Sequence, residues 1–147
     1  MKAPRRSGFP LGELAVFFAA SLLAGGSGLA LAFYRYLARP EDPFTPVHPA
    51  LPFWQHFHVL VVPALVLLLG VAWARHVHSS WASGKPRRTS GGALGLLSLA
   101  MVFSGPWCQT ATSSGSRQLA GLLHTISGVV WLLLLLFHAL QRVKNGR

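Results

Sequence analysis

Apolar residues along this chain come in four long runs separated by short polar stretches. The runs cover residues 11–33, 57–74, 91–108 and 119–140, and the fourth contains VVWLLLLLFHAL. A helix needs roughly 20 predominantly apolar residues to cross the hydrocarbon core of a bilayer. The pattern therefore predicts an all-α protein: a four-helix transmembrane bundle, one integral membrane domain over residues 1–147. The third run is the weakest, with Gly105 and Pro106 near its end. The opening MKAPRRSGFP has the basic character of a secretory leader. The apolar run behind it is too long for one and lacks a clean small-residue cleavage site, so we expect it to be retained as the first span.

Four spans place both termini on one side, and the basic residues choose that side. Lys2, Arg5, Arg6, Arg75, Lys85, Arg87, Arg88, Arg142, Lys144 and Arg147 fall with the termini and the loop between spans two and three. Only Arg35, Arg39 and Arg117 fall opposite. The positive-inside rule then puts both termini in the cytoplasm. The loop SGKPRRTSGG reads as a short solvated turn. The loop ARPEDPFTPVHPALPFW is proline-rich and is expected to be an extended cap over the outer mouth, with Phe53 and Trp54 in the interfacial aromatic belt.

Composition agrees with a membrane setting. Charged residues make up 11% of the chain, against about a quarter in a soluble domain. The net charge of +10 would suit a nucleic-acid binder. The apolar runs exclude that partner and assign the positive charge to membrane-flanking loops. Cys108 is the single cysteine, so neither an internal disulfide nor a thiolate-built zinc or iron–sulfur site is available within this chain. We expect Cys108 to be an apolar filler.

Candidate chemistry lies in the histidines. Of seven, six stand at or near the ends of the second and fourth spans, which run in the same direction from outside to inside. His56, His58 and His124 are outer; His76, His78 and His138 are inner. His58 and His76 are 18 residues apart, five whole helical turns, so they share a face about 27 Å apart. His124 and His138 are 14 residues apart, about 21 Å and roughly 40° off a common face. The crossed pairs, His56 with His76 and His58 with His78, point to opposite sides. We therefore select His58, His76, His124 and His138, and leave His48, His56 and His78 as interfacial polar residues.

One imidazole from each of two helices, at two depths, suits two six-coordinate haems. The outer iron would take His58 and His124, the inner iron His76 and His138. Without Cys-x-x-Cys-His a covalent attachment is unavailable, which leaves haem b. Two haems are expected, and a single outer haem is the fallback. Metal transport and proton relay compete for the same histidines, but we expect no Asp or Glu near either layer.

The stretch from His124 through TISGVVWLLLLLF to His138 resembles the paired-histidine helix of membrane-embedded diheme cytochrome b proteins. These place two histidines, with thirteen residues between them, on each of two parallel helices of a four-helix bundle. Gly128, four after the first histidine, is similar to the small residues that let the macrocycle lie flat in that family. In the second span the gap is seventeen residues. Pro63 can shorten that helix by kinking it, and His76 can sit on a frayed last turn. Most of the chain is also similar to small bacterial four-span membrane proteins regarded as cytochrome b subunits. This resemblance implies a multi-pass protein of the bacterial inner (plasma) membrane.

Arg35, Arg39 and Arg117 outside, and Arg75 and Arg142 inside, are candidates to hold haem propionates; snorkelling to lipid phosphate competes. Trp73, Trp131, Phe103 and Phe137 are candidates for porphyrin packing or for plain core and lipid contact. Thr125 and Ser127 are placed either to orient a ligand or to bond within their own helix. The small residues Ser21, Ala24, Gly25, Gly28 and Ala32 share one side of the first span and permit close approach of a helix or a flat cofactor. Glu13 is a candidate proton acceptor from quinol, or an interfacial acid. The expected function is transmembrane electron transfer through two bis-histidine b-type haems. The chain would act as an electron-carrier subunit of a larger oxidoreductase complex, with other redox subunits and quinone as partners. The alternative is a haem-free membrane anchor that docks peripheral proteins.

Overall fold

A computed structural model describes residues 11–38, 44, 47–77 and 88–144. Helix α1 is Leu11–Tyr36, α2 is Leu51–Ala72, α3 is Arg88–Thr110 and α4 is Ser114–Lys144. A five-residue π-helix, Trp73–Val77, continues α2. All four helices are long and apolar enough to cross a membrane, and α3 is the least apolar. No strand is present among the described residues. The protein is an all-α, four-helix, multi-pass membrane protein.

Local chemistry explains where the helices begin and end. Helix α2 starts at Leu51, six residues before the expected start of its span, with Pro52 in the first turn where its missing N–H costs nothing. The segment Leu51–Trp54, expected in an extended cap, is therefore helical. Ala50 supplies no side-chain cap, and just before the helix His48 Nδ1 accepts the Ala50 N–H at 3.1 Å. The His48 ring also lies 4.5 Å from that of Tyr34, joining the end of α1 to the start of α2. Helix α4 begins behind Ser113, whose Oγ accepts the Ser116 N–H at 3.1 Å. Helix α3 runs through Pro106 to Thr110, two residues beyond the expected boundary. Arg117 closes it by donating from Nη2 to the Ala111 carbonyl.

Helix α1 packs on α2, α3 on α4, and the two hairpins meet where α1 touches α4. Ala24, Leu65, Trp131 and Leu135 form the centre, bordered by Phe17, Val62, Leu97, Met101 and Leu132. A Cβ on Gly25 would lie 2.7 Å from a methyl of Leu132, so α1 and α4 approach through a glycine. Most large aliphatic side chains point outward, among them Leu60, Leu67 and Leu133. Such a surface suits lipid rather than water. Serines inside the spans return their hydroxyls to their own helix: Ser21 to the Phe17 carbonyl and Ser98 to the Leu94 carbonyl, both at 2.8 Å. In hydrocarbon such local bonds replace those that water would make.

Candidate functional site

His58 on α2 and His124 on α4 converge. Their ring centres are 6.2 Å apart and their planes cross at 81°. Each ring is held from behind by a serine on the neighbouring helix of its own hairpin. Ser27 Oγ on α1 lies 3.0 Å from His58 Nδ1, and Ser104 Oγ on α3 lies 3.0 Å from His124 Nδ1. The glycine after each serine makes room for the ring. A Cβ on Gly28 would stand 3.1 Å from His58 Cε1, and one on Gly105 would stand 3.4 Å from His124 Cε1. The two hairpins thus present the same device: Ser-Gly on one helix seats a histidine of the next.

Both serines sit deep in the bundle; Ser27 is 2% exposed and Ser104 is 7% exposed. With Nδ1 engaged, Nε2 is the nitrogen each ring has left. Two imidazoles sharing one metal ion stand about 6 Å apart between ring centres, from two metal–nitrogen bonds of about 2.0–2.1 Å and about 1.1 Å from each nitrogen to its ring centre. The 6.2 Å separation matches this spacing for two rings on opposite sides of one metal.

The donor set limits which metal chemistry fits. Among the described residues no group of three or more His, Cys, Asp or Glu gathers anywhere. Two imidazoles alone leave a first-row metal ion short of ligands. They complete an iron whose four equatorial positions are already filled by a porphyrin. Two converging imidazoles are the donor set that a haem iron would need from the chain.

No family model, curated protein or solved structure matches this chain. The site therefore rests on its own geometry.

The opposite layer is built differently. His138 Nδ1 lies 3.0 Å from Ser90 Oγ, the same serine anchoring again. The backbone of His76 falls in the π-helix, where the wider turn breaks the five-turn phase counted from His58. The side chains of His76 and Arg142 lie outside the described residues, as does the whole of His78. Arg75, a candidate for propionate, instead donates from Nη1 to Glu13 Oε1 at 2.6 Å. This ties the start of α1 to the end of α2.

Other residues divide between core and lipid. Trp131 is buried at 3% exposure, and its indole N–H donates to Ser98 Oγ at 2.9 Å. Phe103 and Phe137 are more than half exposed and face outward, whereas Trp73 lays its ring against Gly95 of α3, where a Cβ would stand 3.0 Å away. Ser127 bonds within its helix, donating to the Leu123 carbonyl at 2.7 Å. Gly128 faces Met101, whose sulfur would lie 3.6 Å from an added Cβ. Among the small residues of α1, Gly28 meets a histidine and Gly25 meets Leu132. Sequence reasoning missed Ser27, Ser90 and Ser104. Ser-Gly pairs stand at 27–28, 90–91 and 104–105, but also at 7–8, 83–84, 114–115 and 127–128, so the pair alone did not single these serines out.

Proposed function

We propose that this protein carries electrons across a bacterial inner membrane on b-type haem. His58 and His124 would be the axial ligands of the outer centre, and His76 and His138 those of an inner one. The observation that carries this reading is the 6.2 Å convergence of two imidazoles whose Nδ1 atoms are both tied back by serines. An edge-on ring pair at this distance is ordinary in itself. Two separately anchored rings, brought together from different hairpins within an apolar bundle, are better accounted for by a shared ligand.

An iron porphyrin held there supplies a one-electron couple. His58 and His124 would hold it, their ring orientations fixed through Ser27 and Ser104, and the apolar bundle would keep water away. Gly28 and Gly105 let the ligand rings lie against neighbouring helices. Arg35 approaches Gly121, one helical turn before His124, with Nη1 3.7 Å from where a Cβ would stand. A guanidinium there would suit a propionate of the outer haem. The chain would act as a subunit of a larger redox complex, with quinol as a candidate electron donor or acceptor in the lipid phase.

The test is a reduced-minus-oxidised spectrum of the purified protein. A b-type signal reduced by His58→Ala and by His124→Ala is the expected result. A haem-free protein unaffected by either change would leave the membrane-anchor reading in its place.

A further inference from the structure

Counting protons on the two anchoring serines assigns more than position. A serine hydroxyl has one hydrogen to give. Ser104 Oγ lies 2.7 Å from the Ala100 carbonyl, and Ser27 Oγ lies 3.0 Å from the Ala24 carbonyl. At 2.7 Å the Ser104 contact calls for the proton between the two oxygens, and at 3.0 Å the Ser27 contact accommodates it. A hydroxyl hydrogen given to its own helix leaves the serine oxygen to accept from histidine Nδ1.

We propose that Ser27 and Ser104 are positioning residues that lock His58 and His124 in the Nδ1–H tautomer before any cofactor arrives. This proposal rests on the haem reading for its purpose but not for its geometry. Each ring then carries its lone pair on Nε2, the nitrogen that a metal would take. Two unprotonated Nε2 atoms offer no hydrogen bond to each other, so the pair is arranged for an electron-pair acceptor from outside the chain. The bond Nδ1–H···Oγ also makes each imidazole a stronger donor to iron, which favours the oxidised state. Burial of the serines limits competition from lipid and water for the bond.

The device belongs to the fold rather than to one residue. Ser27 and Ser104 reach their carbonyls from the third and fourth residue back, on helices that run in the same direction. The following glycine in each case brings the ring within reach of the hydroxyl. Replacing serine by alanine removes the hydroxyl that accepts from Nδ1–H. Replacing it by threonine retains the hydroxyl and its bond to the helix.

The test reads tautomers directly. Full-length protein with 15N-labelled histidine, purified in micelles and depleted of haem, gives ring nitrogen shifts in long-range proton–nitrogen spectra. The expected result is a protonated Nδ1 and an unprotonated Nε2 for both His58 and His124. Ser104→Ala should lose this pattern at His124 alone, Ser27→Ala at His58 alone, and Ser104→Thr should keep it. An Nε2–H tautomer in the unaltered protein, or tautomers untouched by Ser27→Ala and Ser104→Ala, would overturn the proposal. In haem-loaded protein, Ser104→Ala should move the midpoint potential to a more positive value while Ser104→Thr leaves it in place; equal potentials in all three would also overturn it. A protein that takes up no haem yet shows the serine-dependent tautomers would retire the haem reading and leave the tautomer lock standing.

Discussion

At the scale of single residues, the site depends on how closely a histidine ring can approach a neighbouring backbone. Gly28 and Gly105 play matching parts with unequal room to spare. At Gly105 an added methyl would meet His124 at 3.4 Å, an ordinary contact; at Gly28 it would meet His58 at 3.1 Å and force the ring to move. Gly28→Ala is therefore expected to lower haem content, and Gly105→Ala to change it little, as measured by haem per chain. Equal effects would show that the rings do not sit where these distances place them. His58 and His124 were legible in the sequence because helical periodicity sets both face and depth. Ser27 and Ser104 were not, since a serine in an apolar run reads first as a small packing residue. Their role needs the partner helix, which sequence order alone does not bring alongside.

At the scale of helices, the two hairpins repeat a device and then diverge. On α3 the anchoring serines Ser90 and Ser104 are 14 residues apart, as are His124 and His138 on α4. Fourteen residues before Ser27 on α1 stands Glu13, which binds Arg75. The first hairpin therefore has an ion pair at this end, where the second has a serine and a histidine. This difference accompanies the seventeen-residue gap in α2, and the π-helix at Trp73–Val77 lies in the same place. Regular periodicity does not foresee a π turn, so the phase of His76 was beyond the sequence. Trp131 joins α4 to α3 through Ser98 at the core. Trp131→Phe should cost about 1 kcal/mol for the lost hydrogen bond, and Trp131→Ala about 3–5 kcal/mol for the cavity. Unfolding in detergent measures both, and a Trp131→Ala cost no larger than that of Trp131→Phe would contradict the packing described.

At the scale of the molecule, four apolar helices and an outward-facing aliphatic surface require a bilayer. The number of spans was legible because bilayer thickness imposes a length that few soluble helices share. The start of α2 was not, because the proline-rich segment before it conceals a first turn that tolerates Pro52. The uneven distribution of Lys and Arg sets a further expectation: reporter fusions after residue 147 and within residues 78–87 should read as cytoplasmic, and a fusion within residues 39–46 as external. The opposite readout would invert the assignment of outer and inner layers while leaving the His58–His124 pair intact. The most direct measurement of the central claim is a pyridine haemochrome assay of haem per chain on the purified protein and on His58→Ala and His124→Ala. Two b-type haems per chain, with one equivalent lost in each variant, is the expected result. One haem, abolished by either change, would remove the inner centre and keep the outer; a chain without haem, or one whose haem survives both substitutions, would contradict the account.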